Sequence, residues 1–407
     1  MRRRQLLQTF ATGALASVAG ARAWATPAQG HARLLLVFLR GAYDCASLLV
    51  PTAREARDFY AASRPRIAIA APGEAGGALP LDAAWGLHPA LADSLLPLYE
   101  RKQLAFIPFA GIDDLSRSHF ETQDAIELGQ AQDARRDYGS GFLNRLAAVL
   151  GAGPLAAVSP MAFTDQLPIA LRGAAPAANL SLATVGRPGV TAEHGRVIAS
   201  MYQGTPLAQT VAEGFGVRDE VLRSLEAEMQ AASRNAMGTQ GFERVARRMA
   251  RLMRERFDLG FVDVGGWDTH VGQGGATGPL ATRLAELGRG LAGFAEEMGD
   301  TAWRDTVVVV VSEFGRTFRE NGNQGTDHGH GTVYWVLGGG LAAQAGGRVL
   351  GEQVALSPQA LFQNRDYPVL NEYRAVLGGL FARLYGLSPA QVGRVFAGVR
   401  PLDLGLV

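Results

Sequence analysis

Long runs of consecutive apolar residues constrain the fold of this chain more than any other feature. Five valines follow one another at 307–311, and an unbroken apolar run, L-L-L-V-F-L, covers residues 34–39. A strand with one face in water alternates apolar and polar residues, whereas a continuous run predicts a strand buried on both faces. Further strand-like runs lie at 104–109, 259–264 and 333–337. We therefore predict an α/β protein with a mostly parallel, doubly wound sheet.

Segments with helical periodicity separate these runs. Helices are predicted at 88–101, 118–128, 141–150, 280–298, 371–385 and 388–396, with a short strand at 168–171. Residues 191–257 carry i, i+4 charge pairs such as Glu243 and Arg247, which predicts a helical layer or partial cap over the sheet. The chain has no internal repeats, and its 407 residues are 47% hydrophobic, so residues 26–407 are assigned to one large domain.

The charge balance argues against a nucleic-acid partner. The chain has 39 basic and 38 acidic residues, a net charge of +1. Residues 1–25 hold four arginines and no acidic residue, so their removal changes the net charge to −3. Neither form supplies the basic field that attracts a phosphate backbone.

The first 25 residues have the organisation of an export signal. A basic start precedes a weakly apolar stretch, and Ala23–Ala25 reads A-W-A, a small-residue cleavage site. Arg3 and Arg4 begin R-R-Q-L-L, which resembles a twin-arginine signal, with an ordinary secretory signal as the alternative. The apolar stretch is shorter than the ~20 residues that span a bilayer. We expect a periplasmic or secreted protein that begins near Thr26 and has no membrane partner after signal removal.

Cys45 is the single cysteine, so an intrachain disulfide is excluded. Its place after Asp44 allows a nucleophilic thiolate. A small buried residue is the favoured interpretation, because an exposed thiolate would be oxidised outside the cytoplasm.

Five short motifs supply the residues suited to chemistry. Four follow strand-like segments, and the fifth immediately precedes one. The motifs are R-G-A-Y-D with Asp44, S-R-S-H-F with Ser118 and His119, G-G-W-D-T-H with Asp268 and His270, S-E-F-G-R-T with Glu313 and Arg316, and D-H-G-H-G with Asp327, His328 and His330. Ligands of open α/β sheets bind outside the carboxyl ends of the strands. The motifs therefore predict a metal or catalytic site at that edge.

The two aspartate motifs suit a divalent cation. Asp44 follows the first strand in a turn and offers the oxygen that a hard cation prefers, although an aspartate that caps a turn is an equal alternative. Asp268 and His270 point the same way if their segment is extended, so both side chains can reach one ion. The alternative is a buried histidine that is satisfied by its neighbouring aspartate.

The two later motifs add an acid and a histidine pair. Glu313 ends the most apolar strand, where a buried charge needs a metal or Arg316 as its partner. His328 and His330 have a metal-ligand spacing in a glycine-rich loop after Asp327, which predicts one ligand and one supporting or acid–base residue. A histidine-rich loop without function is the alternative.

Ser116 and Ser118 open a predicted helix. The free N–H groups of a helix start stabilise a bound anion and favour the alkoxide of a serine placed there. Helix capping by either serine is the more economical interpretation when the motif is considered alone.

The order of the five motifs after a twin-arginine leader resembles the DUF1501 family, whose members belong to the alkaline phosphatase and sulfatase-like superfamily. The resemblance covers nearly all of residues 30–400 and rests on the set of motifs, not on any one of them. It implies an alkaline-phosphatase-like α/β/α sandwich of three layers, with a bimetal centre at the carboxyl ends of the strands.

The resemblance also implies roles for individual residues. Asp44 matches the aspartate that binds one metal, and Asp268 with His270 matches the pair that binds the other, with one intervening residue instead of three. Ser118 matches the nucleophile best and Ser116 less well. Either Glu313 or the Asp327-His328 pair is left to complete the second metal site.

The function expected from these observations is an exported, metal-dependent hydrolase of phosphate or sulfate esters. One or two divalent ions (Zn, Mn, Ca or Mg) would assist attack by Ser118, and Arg117 or Arg316 would bind the small anionic ester substrate. The alternative is a noncatalytic, metal-stabilised exported scaffold or partner protein with the same fold. The sequence does not indicate an oligomeric state.

Overall fold

The apolar runs form the centre of a nine-stranded sheet in the part of the chain that the structure describes. This computed structural model describes residues 32–152, 158–182, 192–209, 211 and 241–407, so the predicted signal at 1–25 lies outside it. The strands are β1 Arg33–Leu39, β2 Leu49–Pro51, β3 Leu79–Pro80, β4 Trp85–Leu87, β5 Leu104–Gly111, β6 Pro160–Ala162, β7 Ala178–Asn179, β8 Leu259–Val264, β9 Thr306–Ser312, β10 Thr332–Gly338, β11 Arg348–Val349 and β12 Asn371–Glu372.

The strand order places β1 near the middle of the sheet. The order is β11-β5-β10-β9-β1-β8-β6-β7, with β12 also beside β5, while β2, β4 and β3 form a separate small sheet. β1 runs parallel to β8 and β9, and β10 runs antiparallel to its neighbours β9 and β5. The loop that enters β10 therefore lies at the same edge as the carboxyl ends of β1, β5, β8 and β9.

Helices cover both faces of this sheet. The helices are α1 Cys45–Leu48, α2 Arg54–Ser63, α3 Leu96–Glu100, α4 His119–Leu128, α5 Phe142–Gly151, α6 Ala192–Met201, α7 Phe242–Glu255, α8 Pro279–Arg304, α9 Tyr373–Tyr385 and α10 Pro389–Val395. Alternate residues of β1 contact two core clusters, one shared with α7 and α8 and the other with α5, α9 and α10. The predicted α/β class with a large, mostly parallel sheet is confirmed.

Two predicted elements differ in the structure. The strand predicted at 168–171 is wrong, because Pro168 begins a 3₁₀ turn that is closed when Leu171 N–H donates to the Pro168 carbonyl at 3.1 Å. The helix predicted at 88–101 is instead a 3₁₀ turn, Pro89–Leu91, followed by α3. Pro97 lacks an N–H and occupies the first turn of α3, so a continuous helix cannot pass through it.

The helical region predicted at 191–257 contains α6 and α7 among the described residues, while 191, 210 and 212–240 lie outside them. α7 packs against α8 as part of the layer over the sheet, with Ala246 and Met249 in the core. Among the described helices, none combines the length and the apolar character that crossing a bilayer requires.

A buried ion pair joins the segment after β1 to the segment after α2. Asp44 Oδ2 and Oδ1 accept hydrogen bonds from Arg64 Nη1 at 2.5 Å and Nη2 at 3.0 Å. Ser47 Oγ donates to the same carboxylate at 2.8 Å and Gln273 Nε2 at 2.6 Å. Burial acts to raise the pKa of Asp44, but the charge and hydrogen bonds of Arg64 outweigh burial and lower the pKa below its usual value.

We predict that Arg64→Met lowers the free energy of unfolding by about 3–5 kcal/mol, because it leaves the Asp44 charge buried without its partner. Adding Asp44→Asn should recover part of the loss. Urea unfolding measures both variants, and Arg54→Met, at an exposed arginine of α2, is the matched control. Because the pKa of Asp44 is lowered in the folded protein, the ion pair stabilises the fold fully at pH values above about 3.9, the pKa of an unfolded aspartate. This stabilisation is lost as the pH falls below that value. A cost no larger than that of the control would contradict the prediction.

Candidate metal centre

Three of the five sequence motifs meet at the edge where β1, β5, β8 and β9 end. His119 is the first residue of α4, Asp268 and His270 follow β8, and His328 precedes β10. The antiparallel direction of β10 brings its preceding loop to this edge. The histidines and aspartate therefore come together from three separate segments of the chain.

The potential ligand atoms of these four residues face one another. His270 Nε2 lies 3.1 Å from His328 Nε2 and 2.9 Å from Asp268 Oδ1. Asp268 Oδ1 lies 3.5 Å from His328 Nε2, and Asp268 Oδ2 lies 3.6 Å from His119 Nε2. Ligand atoms of His119, Asp268 and His328 all lie within 4.8 Å of one another. We call His119, Asp268, His270 and His328 the metal cluster.

Each histidine of the metal cluster is held through its other ring nitrogen. His119 Nδ1 lies 2.8 Å from Glu313 Oε1, and His270 Nδ1 lies 3.1 Å from Asp327 Oδ1. His328 Nδ1 lies 2.9 Å from the carbonyl oxygen of Arg117. For His119 and His328, these acceptors favour a neutral ring that carries its proton on Nδ1 and directs the Nε2 lone pair into the cluster.

The inward-facing histidine nitrogens suit a cation. His119 Nε2 is buried and has no hydrogen-bond partner in the described structure. The Nε2 atoms of His270 and His328 approach to 3.1 Å, where two lone pairs repel unless a proton or a cation lies between them. Imidazole nitrogens and a carboxylate oxygen are the ligands that zinc prefers.

Glu313 supports the metal cluster without lying among its ligand atoms. Its Oε1 accepts from Gly41 N at 2.7 Å and Gln123 Nε2 at 2.9 Å, besides contacting His119. Gly41 has a φ of +113°, and a Cβ there would come 2.8 Å from Asp268 N, so the close approach requires glycine. The structure thus pairs Glu313 with His119, not with Arg316 as the sequence analysis offered.

Burial and hydrogen bonding oppose each other at Glu313. Burial acts to raise the pKa of Glu313, but hydrogen bonds from His119 and Gln123 hold it below its usual value. The bond to Glu313 in turn raises the pKa of His119. Burial lowers the pKa of His328. The Glu313 carboxylate would therefore balance positive charge at His119.

The two arginines expected to bind substrate are engaged with the protein. Arg316 is buried, donates from Nη1 to Asp268 Oδ1 at 2.5 Å, and uses its other nitrogens on Thr326. Arg117 Nη2 donates to Asp366 Oδ2 at 2.9 Å and to Gln363 Oε1 at 2.8 Å. Arg316 therefore orients Asp268, and Arg117 anchors its own loop.

Three other expected site residues lie outside the metal cluster. His330 is buried, contacts Asp113 Oδ1 through Nε2 at 2.9 Å, and stacks on Phe362. Asp44 is saturated by the donors described above. Asp327 accepts from Asn321 Nδ2 at 3.0 Å and orients His270, so it supports a cluster residue without joining the cluster.

Ser116 and Ser118 form local hydrogen bonds, and Cys45 is buried. Ser118 is the N-cap of α4 and accepts from Glu121 N at 3.5 Å, while Ser116 Oγ lies 3.4 Å from Thr122 Oγ1. Cys45 is buried, as expected, and burial raises the pKa of its thiol to about 12.

Sequence reasoning missed several contributors to the site. His119 was treated only as part of a helix-start motif, yet it belongs to the metal cluster. Gln123 lies four residues after His119 on α4, a spacing that places both side chains on one helix face and was available as a signal. Gln273 and Asn321 lie in loops and carried no periodic pattern that would have identified them.

A family model described as "Protein of unknown function (DUF1501)" matches residues 102–396. The chain belongs to this family. The matched region contains all four residues of the metal cluster, and the family description assigns no activity. No curated protein matches the chain.

One solved structure with detectable similarity is described as the crystal structure of Ps i-CgsB in complex with k-i-k-neocarrahexaose. The similarity covers 89% of this chain and 74% of that chain at 10% identity, with a TM-score of 0.39. At this TM-score the similarity does not establish a common fold.

We predict that His328→Gln weakens zinc binding by at least about tenfold. Substitution of a residue that only supports a metal ligand lowers metal affinity about 10- to 100-fold, and loss of a ligand should lower it at least as much. His330→Gln should change zinc affinity less than twofold, because His330 lies outside the metal cluster. Competition with a chromogenic chelator measures both variants. Equal weakening by the two substitutions would contradict the assignment of His328.

Proposed function

We propose that the metal cluster binds one divalent transition-metal ion, with zinc as the first candidate. Imidazole nitrogens together with a carboxylate oxygen suit zinc, whereas calcium and magnesium take mainly oxygen ligands. The observation that carries the proposal is the common orientation of the three histidines, with each Nδ1 anchored and each Nε2 directed inward.

We further propose that His119, Asp268 and His328 hold the ion and that His270 handles protons. The first three residues form the compact set, while Asp327 orients His270 and would stabilise its charged form, as an aspartate does for a catalytic histidine. The side chains of Asp268 and His270 are 43% and 40% exposed, so a substrate can reach them from solvent. A site with three protein ligands and an accessible face is typical of catalytic zinc, not of structural zinc.

The proposed activity is hydrolysis of phosphate or sulfate esters. The ester class rests on the resemblance of the motifs to the alkaline phosphatase and sulfatase-like superfamily. When bound, a divalent ion would act as a Lewis acid toward the ester oxygens. Ser118 Oγ would form a bond to phosphorus or sulfur as the ester bond to the leaving oxygen breaks. His270 Nε2 would accept the serine proton and return it to the leaving oxygen, and water would then hydrolyse the covalent intermediate.

A noncatalytic, metal-stabilised exported protein is the second candidate. Two observations favour it: both candidate substrate-binding arginines pair with carboxylates of the protein, and Ser118 caps α4. In this candidate function the metal cluster ties three loops together without turnover.

The two candidates differ in the response to His270→Ala and Ser118→Ala. For a hydrolase, we expect each variant to lose at least about 100-fold in kcat on the best ester of an aryl phosphate and sulfate panel, with bound zinc nearly unchanged. A cap alone contributes about 0.5–2 kcal/mol to stability. The scaffold would be favoured if the zinc-loaded parent protein turned over no ester of the panel and the variants only lowered the melting temperature.

We propose that the chain is exported through the twin-arginine pathway, on the basis of its first 25 residues. Arg3→Lys combined with Arg4→Lys should block the appearance of protein in the periplasmic fraction, because paired arginines are what the pathway recognises. Arg2→Lys is the matched control and should leave export unchanged. Normal periplasmic yield in cells that lack the pathway would instead indicate an ordinary secretory signal.

A further inference from the structure

A large cavity lies beside the metal centre, along the carboxyl ends of β6 and β8. Its volume is about 900 Å³, and its walls come from the residues after β6, the end of β8, and the facing sides of α7 and α8. No residue of the metal cluster lines it. The cavity is thus distinct from the proposed metal site and falls in the size range of about 300–1,000 Å³ typical of small-molecule sites.

Arginines outnumber carboxylates by five to four in the lining of this cavity. The arginines come from four separate parts of the fold and are Arg40, Arg172, Arg244, Arg248 and Arg283. Two of the lining carboxylates, Glu127 and Asp263, already pair with Arg40 at 2.8 and 2.7 Å. The other two lining carboxylates, Asp165 and Glu286, form no ion pair with Arg172, Arg244 or Arg283 among the described residues.

Three of these arginines form no ion pair with any described residue. Across residues 32–152, 158–182, 192–209, 211 and 241–407, no hydrogen bond or ion pair involves the guanidinium groups of Arg172, Arg244 or Arg283. The Glu286 carboxylate accepts instead from Phe242 N at 3.1 Å. Guanidinium groups that line one cavity without ion-pair partners suit an oxyanion such as phosphate or sulfate, because the planar guanidinium can donate two hydrogen bonds to two of its oxygens.

Apolar surface lies next to these charges. Phe163, Phe242 and Trp267 line the same cavity. Such a combination of aromatic walls and a few converging polar groups fits an organic ligand better than a bare inorganic ion. We propose that this cavity binds an organic anion that carries several phosphate or sulfate groups. The proposal does not depend on turnover at the metal cluster.

Binding is tested with inositol hexakisphosphate and inositol hexasulfate by titration calorimetry on the full zinc-loaded chain, at about 0.15 M salt to screen surface charges. Uncharged inositol is the ligand control. We expect at least one hexa-anion to bind and inositol not to bind. Tighter binding of one of the two would identify phosphate or sulfate as the preferred group.

Two triple variants distinguish binding in this cavity from nonspecific electrostatic attraction to the protein surface. Replacing Arg172, Arg244 and Arg283 together by Gln should weaken binding at least tenfold. The matched control replaces three exposed arginines elsewhere, Arg54, Arg101 and Arg394, by Gln and should change affinity less than twofold.

Three outcomes would overturn the proposal. These are no binding of either hexa-anion, equal weakening by the two triple variants, and loss of binding in His328→Ala with the arginines intact. The last outcome would place the anion at the metal cluster. Because binding is measured without turnover, failure of the proposed hydrolase activity would leave this test unaffected.

Discussion

The buried carboxylate of Glu313 is the contact on which the arrangement of the metal cluster depends. It accepts hydrogen bonds from the chain after β1 at Gly41 and from α4 at His119 and Gln123. Ser312 Oγ also donates to it at 2.9 Å. A buried charge that lost these donors would be costly, so the contact sets the position of α4 relative to the sheet. That position decides where His119 Nε2 points.

A second network supports Asp268 from beneath. Gln273 links the Asp44 carboxylate to Thr326, whose Oγ1 donates to Gln273 Oε1 at 2.9 Å. Arg316 contacts Thr326 and donates to Asp268. Asp44 therefore supports the site through a chain of hydrogen bonds that leads to Asp268, although the Asp44 carboxylate does not belong to the metal cluster. Supporting residues of this kind fix the geometry of ligands that would otherwise be mobile.

The metal cluster and the arginine-lined cavity suit ligands of opposite charge. At the metal cluster, Asp268 pairs with the nearby Arg316, and His119 Nε2 has no hydrogen-bond partner among the described residues. A histidine nitrogen of this kind suits a cation. In the cavity, the groups without partners among the described residues are the guanidinium groups of Arg172, Arg244 and Arg283, which suit an anion. On our two proposals, the same edge of the sheet would bind a cation and an anion at neighbouring loops, which is the layout expected of α/β proteins that bind ligands at strand ends.

The sequence by itself determined the α/β class, the central strands and the edge at which the motifs gather, because continuous apolar runs admit few other structures. It also identified Asp268, His270 and His328. Only the tertiary structure decided which acids face the three histidines and which pair elsewhere: Glu313 contacts His119 Nδ1, and Asp44 pairs with Arg64. Local spacing carries no information on such partners, since each pair joins residues from separate elements whose approach depends on strand order and on the direction of β10.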